Sequence, residues 1–234
     1  MITWMLILWV VWLVLLAISF VVEHKVERDF RGYSEVKLDG NMTGCEAAEK
    51  MLKGNGIYQV VVCEAKGILT DHYNPISRTL NLSHEVYFGR NIGSLAVAIH
   101  ECGHAIQHDR GNVGLMVRSA VVPVVNVLNK LVPWLLIIGL LCSVVFPDVL
   151  LVGLILFGLT TLFSVMMLPL ERSAGRLALN WLRGSGIASE ERYACATKGV
   201  KSAANRYVVA IVASMANVLS WMWDGIIWIW DWIT

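Results

Sequence analysis

The run "VLLVGLILFGLTTLFSVMMLPL", residues 149–170, carries no charged side chain. A helix crosses the hydrocarbon core of a bilayer in about 20 apolar residues, so this stretch reads as a membrane span. A second uncharged run, "TWMLILWVVWLVLLAISFVV" at 3–22, is also long enough to cross. It is long for the apolar part of a signal peptide, no basic residue precedes it, and "EHKVERD" follows in place of a small-residue cleavage site. A retained anchor over 1–22 is therefore expected. Composition agrees: 56% of residues are hydrophobic and 16% charged, where a soluble domain has about a quarter charged. A net charge of +1 and the lack of a basic run give no footprint for nucleic acid, which is not expected as a partner.

Two further regions complete the membrane reading. From about Ala120 to Phe146 the chain is apolar but is interrupted by Asn126, Asn129 and Lys130, with Pro123 and Pro133 nearby. Its start reads as kinked or interfacial and its span as centred near 131–146, so that 119–170 forms a hairpin. The last segment, 207–234, contains Trp221, Trp223, Trp228, Trp230 and Trp232. It either crosses the bilayer or lies in the interface as an amphipathic helix. Residues 23–118 hold eleven Lys/Arg and residues 171–206 hold seven, eighteen of the nineteen in the chain. A hairpin separates these segments, so they emerge on one face, and the excess of basic residues makes that face cytoplasmic. Five cysteines with no C-x-x-C pair argue against a disulfide framework or a thiolate metal site, and free thiols suit that compartment.

The polar segment 23–118 carries the chemistry. "CEAAEKMLKGNG" reads as a helix ended by Gly-Asn-Gly, "IYQVVVC" (57–63) as a strand, and "GILTDHYNPISRTLNLS" as two short strands around Asn74-Pro75. A helix from about Ile92 to His108 follows, containing "HECGH". His100 and His104, four apart, lie one turn apart on one face and can reach one metal ion. Glu101 projects beside them as a general base, the H-E-x-x-H arrangement of zinc peptidases. Cys102 points to the other side of the helix. A strand beside such a helix offers an edge to which an extended peptide can pair.

A catalytic zinc takes a third protein ligand. The extended motif with a third histidine fails here, because Gln107 and Arg110 occupy its glycine and histidine positions. Glu171, directly after the 149–170 run in "LPLERSAGRLALNWL", lies on the same expected face; its plainer role is a carboxylate near a helix start. Pro169 is placed to open its helix, and Ala174 and Gly175 thin one side for a close approach. His108 is a rival ligand or a solvated residue at a helix end. His72 and Tyr73, in "LTDHY", are candidates for contacting substrate or a developing oxyanion, or are ordinary turn residues.

These motifs together resemble the YugP-like membrane zinc metallopeptidases. The likeness runs through "NGIYQVVV", "GILTDHYNPISRTLNLS", "VYFGRNIGSLAVAIHECGHAIQH", "RSAVVPVVN" and "LPLERSAGRLAL". The resemblance implies a neutral, gluzincin-like zinc peptidase with one catalytic Zn2+ on His100, His104 and Glu171 and with Glu101 as base. After the glutamate the family usually carries an aromatic, then Asp or Asn, then Ala-Ser; here Arg172, Ser173, Ala174 and Gly175 follow. Ser173 thus stands where an acidic or amide residue would orient the metal ligands.

The expected molecule is a mainly α multi-pass membrane protein. It has a small α+β cytoplasmic segment with the H-E-x-x-H helix over 23–118, and a cytoplasmic helical segment bearing Glu171 over 171–206. The expected activity is hydrolysis of peptides or membrane-protein segments at the cytoplasmic surface of the cell (inner) membrane. The competing expectation is a non-catalytic zinc-containing adaptor or scaffold; a structural site normally has four protein ligands, a set this sequence does not offer.

Overall fold

In the computed structural model, the described residues are 36–38, 41–67, 70–142 and 145–201, with six isolated positions before residue 36. The expected anchor over 3–22 falls outside them except at isolated positions, and the Trp-rich segment 207–234 falls outside them entirely. The architecture is mainly helical with one three-stranded sheet, and both long apolar segments are helices. Among described residues, 121–166 belong to one compact unit; those from 36 to 120 and from 167 to 201 belong to the other.

In the second unit, helix α1 (Gly44–Gly54) opens on a capping box. The Thr43 hydroxyl accepts from Glu46 N at 3.1 Å, and Glu46 Oε2 accepts from Thr43 N at 2.8 Å, which satisfies two otherwise open donors. Its apolar positions Ala47, Ala48, Met51 and Leu52 are buried. The chain then closes on itself: Ile57 N donates to Leu52 O, so the first residues of the expected 57–63 strand finish the helix instead. Strand β1 accordingly runs Val61–Ala65.

Strands β2 (His72–Asn74) and β3 (Thr79–Ser83) form the expected hairpin, with Asn74 Oδ1 accepting from Ile76 N at 2.9 Å across the turn. The sheet order is β1-β3-β2; β1 lies parallel to β3, and β2 lies antiparallel to β3 and forms an edge. A short helix α2 (His84–Tyr87) leads to α3 (Ile92–Asp109), whose N-cap Asn91 accepts from Ser94 N at 2.8 Å. Fifteen of the eighteen residues of α3 are buried, so this is a central helix and not a surface one.

Helix α4 (Val113–Leu141) starts earlier than the apolar pattern predicts and runs through Pro123 and Pro133. Helix α5 (Pro147–Ser185) is continuous through Pro169. Proline removes one N–H from a helix ladder without having to end it, so Pro169 does not open a new helix before Glu171. Along α5, Leu151, Ile155, Leu159, Leu162 and Met166 are all about half exposed, an apolar face at helical spacing. Residues 190–201 are again helical and form α6.

Candidate metal centre

Helix α3 presents His100, Glu101 and His104 in its buried middle, with one ligand-type atom from each lying within 4.8 Å of the others. The two imidazoles meet edge to face at 5.1 Å between centroids. Helix α5 brings Glu171 against them. Its Oε2 lies 3.0 Å from His100 Nε2 and its Oε1 3.5 Å from His104 Nε2; Arg118 Nη2, from α4, lies 3.3 Å from Oε1. Burial alone would raise the Glu171 carboxyl, but its hydrogen bond with His100 and the charge of Arg118 hold it well below the usual carboxylate range.

The helices meet closely because Gly103 has no side chain. A Cβ there would collide with the Ala174 carbonyl oxygen and lie 3.0 Å from Ala174 Cα. Glycine at this position lets α5 approach α3 backbone to backbone, which places Glu171 over the turn that carries both histidines.

Gln107 fixes the tautomer of His104. Its amide Nε2 donates to Leu170 O at 2.9 Å and, by a short bond, to Ser173 Oγ, leaving Oε1 to accept from His104 Nδ1 at 2.9 Å. With its proton on Nδ1, the neutral ring turns a lone pair at Nε2 toward Glu171 Oε1, and neither atom finds a hydrogen-bond partner. Two buried acceptors facing each other without a proton between them suit a cation. Zinc, which takes imidazole nitrogen and carboxylate oxygen, fits this donor set of His100, His104 and Glu171.

Glu101 faces the sheet edge. Its Oε2 accepts from Tyr73 N at 3.1 Å, so the outward N–H of edge strand β2 holds the carboxylate. Asp71 secures that strand: its Oδ1 accepts from Ser83 N at 2.7 Å and its two oxygens accept from Ser83 Oγ, tying the start of β2 to the end of β3. Burial pushes the Asp71 carboxyl above its ordinary value against these bonds, and the charge of Glu101 adds to the rise.

The remaining sequence candidates lie elsewhere. Tyr73 is buried with its hydroxyl 2.8 Å from His108 Nδ1, so His108 is paired with a phenol and is not a free residue at a helix end. His72 is exposed, with Nδ1 2.6 Å from Thr70 O. Cys102 turns away beneath α1, its Sγ 3.6 Å from Ala48 O, and burial raises its thiol far above the ordinary value. Three residues at the site were not singled out from the sequence: Gln107, Arg118 and Asp71. Only Gln107 has a local signal, since three positions after His104 is the same helical face.

A protein family described as "Putative neutral zinc metallopeptidase" matches residues 7–224. The protein of Bacillus subtilis (strain 168) described as "Putative membrane protease YugP" is 35% identical over 204 residues, 87% of this chain and 90% of that protein. No solved structure matches the chain. With the family match spanning nearly all of its length, the chain belongs to this neutral zinc metallopeptidase family.

Proposed function

We propose that the protein is a multi-pass membrane zinc peptidase that hydrolyses peptide bonds at the cytoplasmic face of the cell membrane. The observation that carries this reading is the buried convergence of His100, His104 and Glu171 with Glu101 alongside. His100 Nε2, His104 Nε2 and the Glu171 carboxylate would hold one zinc ion. Zinc in such a site polarises the scissile carbonyl and makes a water more acidic.

The protein's own groups do the rest. Glu101 takes the proton of the attacking water and passes it to the leaving amine, while Tyr73 N–H holds its carboxylate in place. Gln107 keeps His104 Nε2 free of a proton, and Arg118 steadies the Glu171 carboxylate. The exposed apolar face of α5 and the two long apolar helices support a membrane location, and the name of the Bacillus relative agrees. The distribution of Lys and Arg supports 23–118 and 171–206 as the cytoplasmic segments, with 119–170 as the hairpin between them. Substrates are peptides or membrane-protein segments presented at that surface.

The test is Glu101→Gln in full-length protein reconstituted in lipid. Zinc content should stay at the wild-type level while peptide hydrolysis falls by about 10²–10⁴-fold. Equal hydrolysis by the two proteins removes the assignment.

A further inference from the structure

Beside the metal centre lies a cavity of about 380 Å³ between α5 and α6, lined by Glu171, Arg172, Gly175, Arg176, Leu179, Val200 and Lys201. Positions 172, 175, 176 and 179 recur at helical spacing and so share one face of α5. Three of the lining side chains are cations, and among the described residues none of the three has a carboxylate within ion-pair distance. The one acidic group in the wall, Glu171, is already engaged by His100, His104 and Arg118. The recess therefore has uncompensated positive charge.

It also shares a wall with the centre, through Glu171. A Cβ at Gly175 would lie 3.0 Å from Val200 Cγ1 and 3.8 Å from His100 Nδ1, so bare backbone separates the cavity from the His100 ring.

We propose that this recess is a subsite for a carboxylate of the peptide substrate, resting on the peptidase reading above. The arginine pair and Lys201 bind the carboxylate by charge-assisted hydrogen bonds, and Leu179, Val200 and the arginine stems cover its methylenes. The position of the cavity favours a substrate over a lipid headgroup, because the recess ends on Glu171, which is 3% exposed and touches both imidazoles.

The experiment uses full-length zinc-loaded protein and peptides with one cleavable bond. Glu, Gln or Lys is placed in turn at each flanking position, and each peptide is made with a free and an amidated C-terminus. Glu should exceed Gln by about tenfold or more in kcat/KM at one position, chiefly through KM. A preference that depends only on the free C-terminus also supports the subsite, with the chain end as its carboxylate. Arg176→Gln should abolish the preference and Arg176→Glu should turn it toward Lys, with zinc stoichiometry reporting an intact centre.

Binding of the same peptides to the Glu101→Gln protein, read by fluorescence anisotropy, gives a second measure independent of turnover. Tighter binding of the Glu peptide with no cleavage by wild type would keep the subsite and remove the peptidase reading. No preference in either assay overturns the subsite. So does a loss of binding to phosphatidylglycerol vesicles by the Arg176 variants when peptide preference is unchanged, which would make the patch a lipid contact.

Discussion

Helix α3 and the apolar half of α5 reverse the usual partition of side chains in opposite senses. In α3, His100, Glu101, His104 and Gln107 are buried in the middle of a helix that has hardly any exposed residues. In α5, Leu151, Ile155, Leu159, Leu162 and Met166 are left open. Glu101 and Gln107 find partners within the chain, but His104 Nε2 and the open face of α5 do not. Buried polar groups need partners, and contiguous exposed apolar faces need cover. On the reading proposed here, a divalent cation would meet the first requirement and hydrocarbon the second. The comparison separates two kinds of missing partner by the chemistry each leaves uncompensated.

The strongest way to break the first half is Glu171→Ala. It removes the carboxylate that joins both imidazoles and Arg118, and breaking such a buried pair costs about 3–5 kcal/mol. Zinc measured by atomic absorption should fall to near zero; wild-type stoichiometry would show that the metal is held without this residue. The second half is broken by Leu159→Arg, which would put a charge near the middle of the expected span at a cost of about 2.5–3.5 kcal/mol. The variant should lose membrane insertion in a fractionation assay, and unchanged insertion would argue that protein covers this face.

Smaller effects sharpen the picture of how the centre is assembled. Gly103→Ala should lower thermal stability by about 1–3 kcal/mol, because its new methyl group meets the Ala174 backbone and not a movable side chain. Zinc affinity should drop with it, since α5 can no longer come as close. Gln107→Leu should weaken zinc binding by about 10–100-fold in a chelator competition while leaving the fold intact. Unchanged affinity would mean that His104 needs no partner to set its tautomer.

Much of this could be read from the sequence, for identifiable reasons. The α3 motif repeats at the helical period, and the Asn74-Pro75 turn announces the β2–β3 hairpin, so both follow from neighbours in the chain. The close approach expected of Ala174 and Gly175 is present: the Ala174 backbone meets Gly103, and a Cβ at Gly175 would lie 3.8 Å from His100 Nδ1. What could not be read depends on distant partners. The parallel pairing of β1 with β3, the Asp71 bond to Ser83 and the Arg118 contact with Glu171 join elements whose sequences contain no trace of one another. Ser173 shows the limit most clearly. It stands where the family carries an acid or amide, and the amide is supplied instead by Gln107 from the facing helix, with Ser173 as one of its anchors.

Seventy-one positions separate His100 from Glu171, and both long apolar segments of the hairpin lie between them. On the ligand set proposed here, a nascent polypeptide leaving the ribosome exposes its base and two imidazoles well before the third ligand is translated. On that reading the metal site would be incomplete, and hydrolysis absent, until synthesis has passed the second apolar helix.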